Sequence, residues 1–331
     1  MLARLAPGPM TDPSSVAPRG REAERPSEIP GRGWRDILRR LWLEIQRDRV
    51  LLVAAGVTFY LLLALFPAIT AFVSLYGFLA DPRTIVGDIA LLTTIVPAGG
   101  LDLIQERLES LARQADRTLS VSFMAALLFA LWSANNGVKA LFDAINIAYE
   151  ESEKRSFLML NLVAFGFTLG AMLVAAGLVG AVAVVPAVIA LLGPEGWTKG
   201  LIQILRWPLL LILVGVAISV LYRYGPSRER AKWRWVTWGG IGATVVWVAA
   251  SIGFSFYLSN FGNYEAIYGS LGAVIGFMVW TWISVITLIV GAQLNAEMEH
   301  QTARDSTTGE PEPMGQRGAV VADTVGAPVD E

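Results

Sequence analysis

An all-α, polytopic membrane helix bundle is the fold class the sequence predicts, and three observations predict it. Hydrophobic residues make up 54% of the 331, charged residues only 16%, and the mean hydropathy is +0.52, outside the balance of a soluble domain. Six charge-free intervals punctuate the chain: Val50 to Ala80, Thr118 to Val138, Ser156 to Pro194, Trp207 to Tyr222, Trp235 to Tyr264 and Ala266 to Ala296. Basic residues are unevenly shared between the segments that join them.

All but the fourth interval reach the roughly 20 residues that cross a hydrocarbon core of about 30 Å. The fourth, at 16, spans if Arg206 and Arg223 snorkel. Six transmembrane helices are therefore expected. With the N-terminus inside, 20 of the 26 Lys and Arg fall on the cytoplasmic side and six on the other, so both termini are expected in the cytoplasm.

Residues 1–33 and 300–331 are rich in Pro, Gly, Ser and charge with few large apolar side chains. Both are expected to be disordered cytoplasmic tails. "WRDILRRLWLEIQRDR", residues 34–49, places Trp34, Ile37, Leu38, Leu41, Trp42 and Ile45 on one helical face. Arg35, Arg39, Arg40 and Arg47 occupy the rest, for anionic lipid headgroups if the helix lies on the inner leaflet. Packing on cytoplasmic loops of the same chain is the alternative. Residues 50–299 form the six-helix domain. Within it, the segment 81–117 reads as two short amphipathic helices broken by "PAGG", an external helical cap.

The second interval is irregular. Its apolar part is followed by "SANNG" and then by "VKALFDAINIAYE". Either the span exits at Trp132 and continues as a cytoplasmic amphipathic helix, or Asn135 and Asn136 mark a broken helix that lines a cavity. Pro67 and Pro186 add expected kinks.

In the sixth interval Gly269, Gly272, Ala273 and Gly276 recur at helical spacing. Such a face, which recurs in the fifth interval at Gly239, Gly240, Gly242 and Ala243, lets helices approach closely in lipid; approach of a ligand is the competing reading. Tyr264, Tyr268 and Ser270 cluster at the outer end of this helix, and Gln293, Asn295 and Glu297 at the inner end, so the helix is a candidate to flank a pathway.

Enzyme chemistry finds little footing. Cysteine is absent and histidine occurs once, at His300, so no Cys/His zinc site can form. No P-loop, G-x-S-x-G or H-E-x-x-H motif occurs. The chain reads as a non-enzyme without cofactor or metal. Its partners are expected to be membrane lipids and not nucleic acid, since bilayer phosphates are the anions nearest to the N-terminal arginines.

"GVTFYLLLALFPAI", "LWSANNGVKALFDAINIAYEESEKRSF", "LYRYGPS", "FSFYLSNFGNYEAIYGSLGAVIGFMVWTWI" and "GAQLNAE" together resemble the YihY/virulence factor BrkB family, in order from about Leu51 to Glu299. The resemblance implies a bacterial inner-membrane protein with an envelope role. Some members carry an old ribonuclease BN label, for which this sequence offers no metal site. Transport or flipping of a lipid or other amphiphile is the function expected; a non-transporting envelope scaffold that recruits partners is the alternative.

Overall fold

A computed structural model describes residues 19–79, 121–192, 197–261 and 271–328. Helix α1 (Gly31–Arg47) is followed by six long helices: α2 (Val50–Leu79), α3 (Val121–Ala148), α4 (Phe157–Leu192), α5 (Trp197–Tyr224), α6 (Trp233–Phe261) and α7 (Gly272–Gln301). A four-residue helix, α8 (Val320–Asp323), lies near the C-terminus. At about 1.5 Å per residue, each of α2 to α7 is longer than a hydrocarbon core is thick. Four described stretches, in α4, α5, α6 and α7, are individually long and apolar enough to cross a membrane. A fifth is added if α1 and α2, which meet at a 60° bend, count as one broken span.

The long helices close into a ring: α2 packs on α3, α3 on α4, α4 on α5, α5 on α6, α6 on α7, and α7 returns to α2 while also touching α3 and α1. The core between α2, α3, α5, α6 and α7 holds Val50, Ala54, Phe142, Ile145, Tyr149, Tyr222, Val236 and Ile289. Hydroxyls on the helices turn back on their own backbone: Thr58 donates to the Ala54 carbonyl, Thr168 to Ala164, Thr244 to Gly240 and Thr287 to Ile283. This satisfies them where water is absent. Two tryptophans cross-link α6 and α7 reciprocally, Trp247 Nε1 to Ser284 Oγ at 2.9 Å and Trp280 Nε1 to Ser251 Oγ at 3.2 Å.

Several expectations change here. Helix α5 begins ten residues before its charge-free interval and runs through Lys199, Arg206 and Pro208. The Arg206 guanidinium rests over the Trp207 ring at 5.0 Å, which shields its charge. Helices α2 and α4 run on through Pro67 and Pro186, the positions of the expected kinks. Helix α3 runs without a break through "SANNG", where Gly137 lets Leu61 and Ala64 of α2 pack closely.

The terminal segments also differ from the expected disordered tails. Residues 19–33 include a 3-10 turn at Pro26–Glu28 and the start of α1. The Arg21 carbonyl accepts from the Ala303 N–H at 2.8 Å. Residues 302–328 are folded against the bundle end, with Ser306, Thr307, Arg317, Ala319, Val321 and Ala322 buried. Composition missed this because polar contacts do the holding. Arg317 alone donates to the carbonyls of Glu312, Ala322 and Ala303. Residues 1–18, the expected external cap and the outer end of the sixth interval lie outside the described residues.

Candidate functional site

Two polar assemblies stand out, one within the helices and one closing their ends. The first is a seam between α3 and α4. Asn135 Nδ2 donates to Asn161 Oδ1 at 3.0 Å, and Lys139 Nζ donates to the same oxygen at 3.0 Å. Asn161 Nδ2 donates to the Phe157 carbonyl at 2.7 Å, which fixes the amide's orientation. Helical spacing brings Asn135 and Lys139 together, since they are four residues apart on one face.

The seam sits among apolar side chains that face outward. Phe157 is 82% exposed and begins α4 one turn before Asn161; Trp132 and Phe129 are exposed on α3. Such surfaces belong against lipid. An amine at this level is costly unless it serves a ligand or reaches polar surroundings. Lys139 and Asn161 were not singled out from the sequence. The four-residue spacing from Asn135 pointed to Lys139, but nothing local pointed to Asn161, which arrives from the next helix.

The second assembly caps the end where α2, α4 and α6 begin and α3, α5 and α7 finish. Arg228 makes a two-bond pair with Glu299, at 3.2 and 2.7 Å, and Ser306 Oγ donates to the same carboxylate at 2.7 Å. The Arg228 guanidinium also lies over the Tyr149 ring at 5.0 Å. Burial opposes its charge, but the Glu299 carboxylate prevails and holds the guanidinium above its ordinary pKa.

Beside this pair, Asn146 joins two loops. Its Oδ1 accepts from the Ser227 N–H at 2.7 Å and its Nδ2 donates to Glu153 at 3.3 Å. Arg155 grips Glu153 with two bonds of 2.8 Å and donates to the Gly225 carbonyl at 2.7 Å. Burial by itself would raise the Glu153 carboxyl; the bonds from the Arg155 side chain and backbone override it and hold the pKa at about 2. This is below the unfolded value of about 4.3. The clamp's stabilisation is therefore complete above that value and is lost as the pH falls through it toward 2. The thermal midpoint should drop over this window, and Glu153→Gln should flatten that drop.

The residues anticipated as sites divide between these assemblies. Asn135 is buried in the seam, with Asn136 half-buried beside it. Asn295 is fully buried and ties α7 to α6: its Oδ1 accepts from the Gly239 N–H at 2.9 Å and its Nδ2 donates to the Val236 carbonyl at 3.2 Å. Glu297 is paired with Arg40 at 2.5 Å, and Gln293 donates to Asp48 at 2.8 Å.

Close approach between helices is made at Gly239, Gly240 and Gly291, where an added Cβ would run into Asn295, Ser219 and Tyr222. Gly272 and Gly276 are buried, but a Cβ at Gly276 would meet no atom of the described residues within 4 Å. Tyr264, Tyr268, Gly269 and Ser270 lie outside the described residues.

The four arginines expected at lipid headgroups also divide. Arg40 turns inward to Glu297, Gln301 and the Ala327 carbonyl, and so belongs to the cap. Arg47 is exposed and paired with Glu44 and Glu150. Arg35 and Arg39 face outward beside exposed Leu38, Trp42 and Leu43, while Ile37 and Leu41 pack inward. The apolar stripe of α1 is thus shared between protein and surroundings, because the stripe is wide enough to serve both. Among the described residues, no three His, Cys, Asp or Glu side chains converge to hold a metal ion.

The sequence profile of the virulence factor BrkB family matches residues 41–315, which takes in the seam and, at the cap, the Arg228–Glu299 pair and the Asn146–Glu153–Arg155 clamp. The chain belongs to this family. Within or beside it, the putative ribonuclease-like protein YfkH of Bacillus subtilis (strain 168) is 29% identical over 256 residues, covering 73% of this chain and 88% of that protein. The UPF0761 membrane protein PBPRA3489 of Photobacterium profundum is 25% identical over 271 residues, 81% of this chain and 82% of the relative. The UPF0761 membrane protein Nmul_A0452 of Nitrosospira multiformis is 25% identical over 263 residues. This chain matches 76% of its own length there but only 58% of that longer relative. No solved structure matches. The BrkB family thus identifies a membrane protein with several apolar helices able to span a bilayer.

Proposed function

We propose that this BrkB-family protein is a six-span protein of the bacterial inner membrane that moves a lipid or other amphiphile between leaflets, with the headgroup taken up at the α3–α4 seam. The observation that carries the reading is Lys139, an amine tied into a pair of asparagines at the level of outward-facing Phe157 and Trp132. Ionisable groups so placed are expensive and are retained where they serve a pathway or ligand. Leaving aside Lys139 of the seam, the described segments that meet at the capped end hold 18 of the 26 basic residues, which supports placing it, with both termini, in the cytoplasm. Outward-facing Arg35, Arg39, Leu38 and Trp42 of α1 then lie at the inner leaflet, where arginines meet anionic headgroups.

A scaffold that recruits partners through the arginine helix and both tails would use folded surfaces, because residues 19–49 and 302–328 are built into the bundle end. Removing the N-terminal 49 residues would damage the fold itself and could not isolate an arm's role. A direct test is movement of fluorescent phospholipid between leaflets of proteoliposomes. Wild type should transfer lipid, and Lys139→Met and Asn135→Leu, reconstituted in equal folded amounts, should lose most of that transfer. Undiminished transfer by both variants would remove the seam from the pathway, and absence of transfer by wild type would count against phospholipid as the amphiphile.

A further inference from the structure

We propose that a recess between the C-terminal ends of α1 and α3 and the last turns of α7 binds one monovalent metal cation such as sodium, with the Asp48 carboxylate and Gln293 Oε1 as protein ligands. The recess is lined by Glu44, Asp48, Glu150, Gln293, Glu297 and His300, with small apolar groups between them. Of its four carboxylates, Glu297 is paired with Arg40, and Glu44 and Glu150 share Arg47. Asp48 has a hydrogen bond from Gln293 and no ion pair among the described residues. The recess is therefore short of positive charge.

Gln293 gives a second and independent indication. The residue is 1% exposed, and its Oε1 is buried without a hydrogen-bond partner among the described residues. The amide cannot simply turn over, because its Nε2 donates to Asp48 Oδ2 at 2.8 Å and a flip would set two oxygens against each other. A buried acceptor of this kind calls for a donor or a cation. Helices α1 and α3 both finish here, at Arg47 and Ala148, and bring the partial negative charge of their C-termini.

Size and ligand number select the class of cation. A cavity volume of about 10 Å³ has room for one water or one bare alkali ion, and excludes an organic cation such as choline. Calcium takes six to eight oxygen ligands, several from carboxylates, whereas three of the four carboxylates here are already held by Arg40 and Arg47. Oxygen donors with one unpaired carboxylate suit a hard monovalent ion. Because α1 meets α2 at a 60° bend beside Asp48, an ion joining Asp48 to Gln293 would fix that bend against α7. The inference is independent of amphiphile transport.

The test uses the full chain purified in detergent, with sodium, potassium and choline chlorides compared at equal ionic strength. Wild type should show a saturable rise in thermal midpoint with a metal cation over choline, together with broadening of the ²³Na resonance. Gln293→Leu and Asp48→Asn, if helical by circular dichroism, should lose both responses. If neither variant folds, Glu150→Gln at the exposed rim should shift the sodium titration to higher concentration. Identical midpoints in all three salts with no ²³Na broadening would mean that the recess holds water only and would overturn the proposal. So would full sodium responses in folded Gln293→Leu and Asp48→Asn, or an unshifted titration in Glu150→Gln.

Discussion

Arg228→Ala should lower stability by about 3–5 kcal/mol, the cost of leaving a buried carboxylate without its partner. Arg228 and Glu299 side chains are 2% and 0% exposed, so water cannot take the place of the lost guanidinium. The effect should spread, because Glu299 also accepts from Ser306 of the C-terminal segment, and the Arg228 backbone belongs to the loop that Asn146 and Ser227 tie to α3. Thermal unfolding in detergent reads this as a lower midpoint. Arg228→Met combined with Glu299→Leu should lie closer to wild type than Arg228→Ala does, since replacing both charges removes the unpaired group. A single variant indistinguishable from wild type would show that the pair does not hold the cap together.

Gly239→Ala should be the second severe change. Its new Cβ would overlap the Asn295 amide, which cannot retreat without releasing the Gly239 N–H and the Val236 carbonyl. Overpacking costs about 1–3 kcal/mol, and each buried polar group left unpaired adds about 1–3 kcal/mol. Loss of several kcal/mol is therefore expected. Gly276→Ala supplies the contrast: a Cβ there meets no atom of the described residues within 4 Å, and alanine favours a helix by about 1 kcal/mol over glycine. Thermal midpoints should fall sharply for Gly239→Ala and stay level or rise for Gly276→Ala. Equal midpoints would contradict the assignment of Gly239 as the point of close approach.

These two cases show what was legible in the sequence. Charge-free intervals located the long helices, because a helix in lipid must be apolar over most of its length. They misplaced the start of α5, where Lys199 and Arg206 continue the helix and snorkelling makes charge near a helix end tolerable. Glycine spacing marked packing faces on α7 and at the start of α6, yet a spacing names no partner. The close approaches set Gly239, Gly240 and Gly291 against Asn295, Ser219 and Tyr222, side chains that belong to other helices.

The same reason hid most of the site. Asn135 was conspicuous as a polar group in an apolar run, but its meaning depends on Asn161 of another helix. Composition made the C-terminal segment look unable to fold, since it lacks large apolar residues. Arg317, Ser306 and Thr302 hold it through bonds to backbone and carboxylate, and such bonds leave no hydrophobic signature. Arg40 looked like a headgroup ligand because its helix is amphipathic; Glu297, 257 positions away, turns it inward.

The most direct test of the central claim, that the α3–α4 seam is a polar opening at the level of the lipid, is thiol accessibility. The chain contains no cysteine, so single cysteines at Asn136, Lys139 and Leu173 can be compared in membranes with a charged thiol reagent, with Arg304→Cys as the exposed reference. Cysteine at 136 and 139 should react at rates approaching that of 304, while 173, whose leucine is 74% exposed on the apolar face of α4, should stay unmodified. If 139 is as unreactive as 173 in folded protein, the seam is sealed from water and headgroups and the proposed pathway does not run through it.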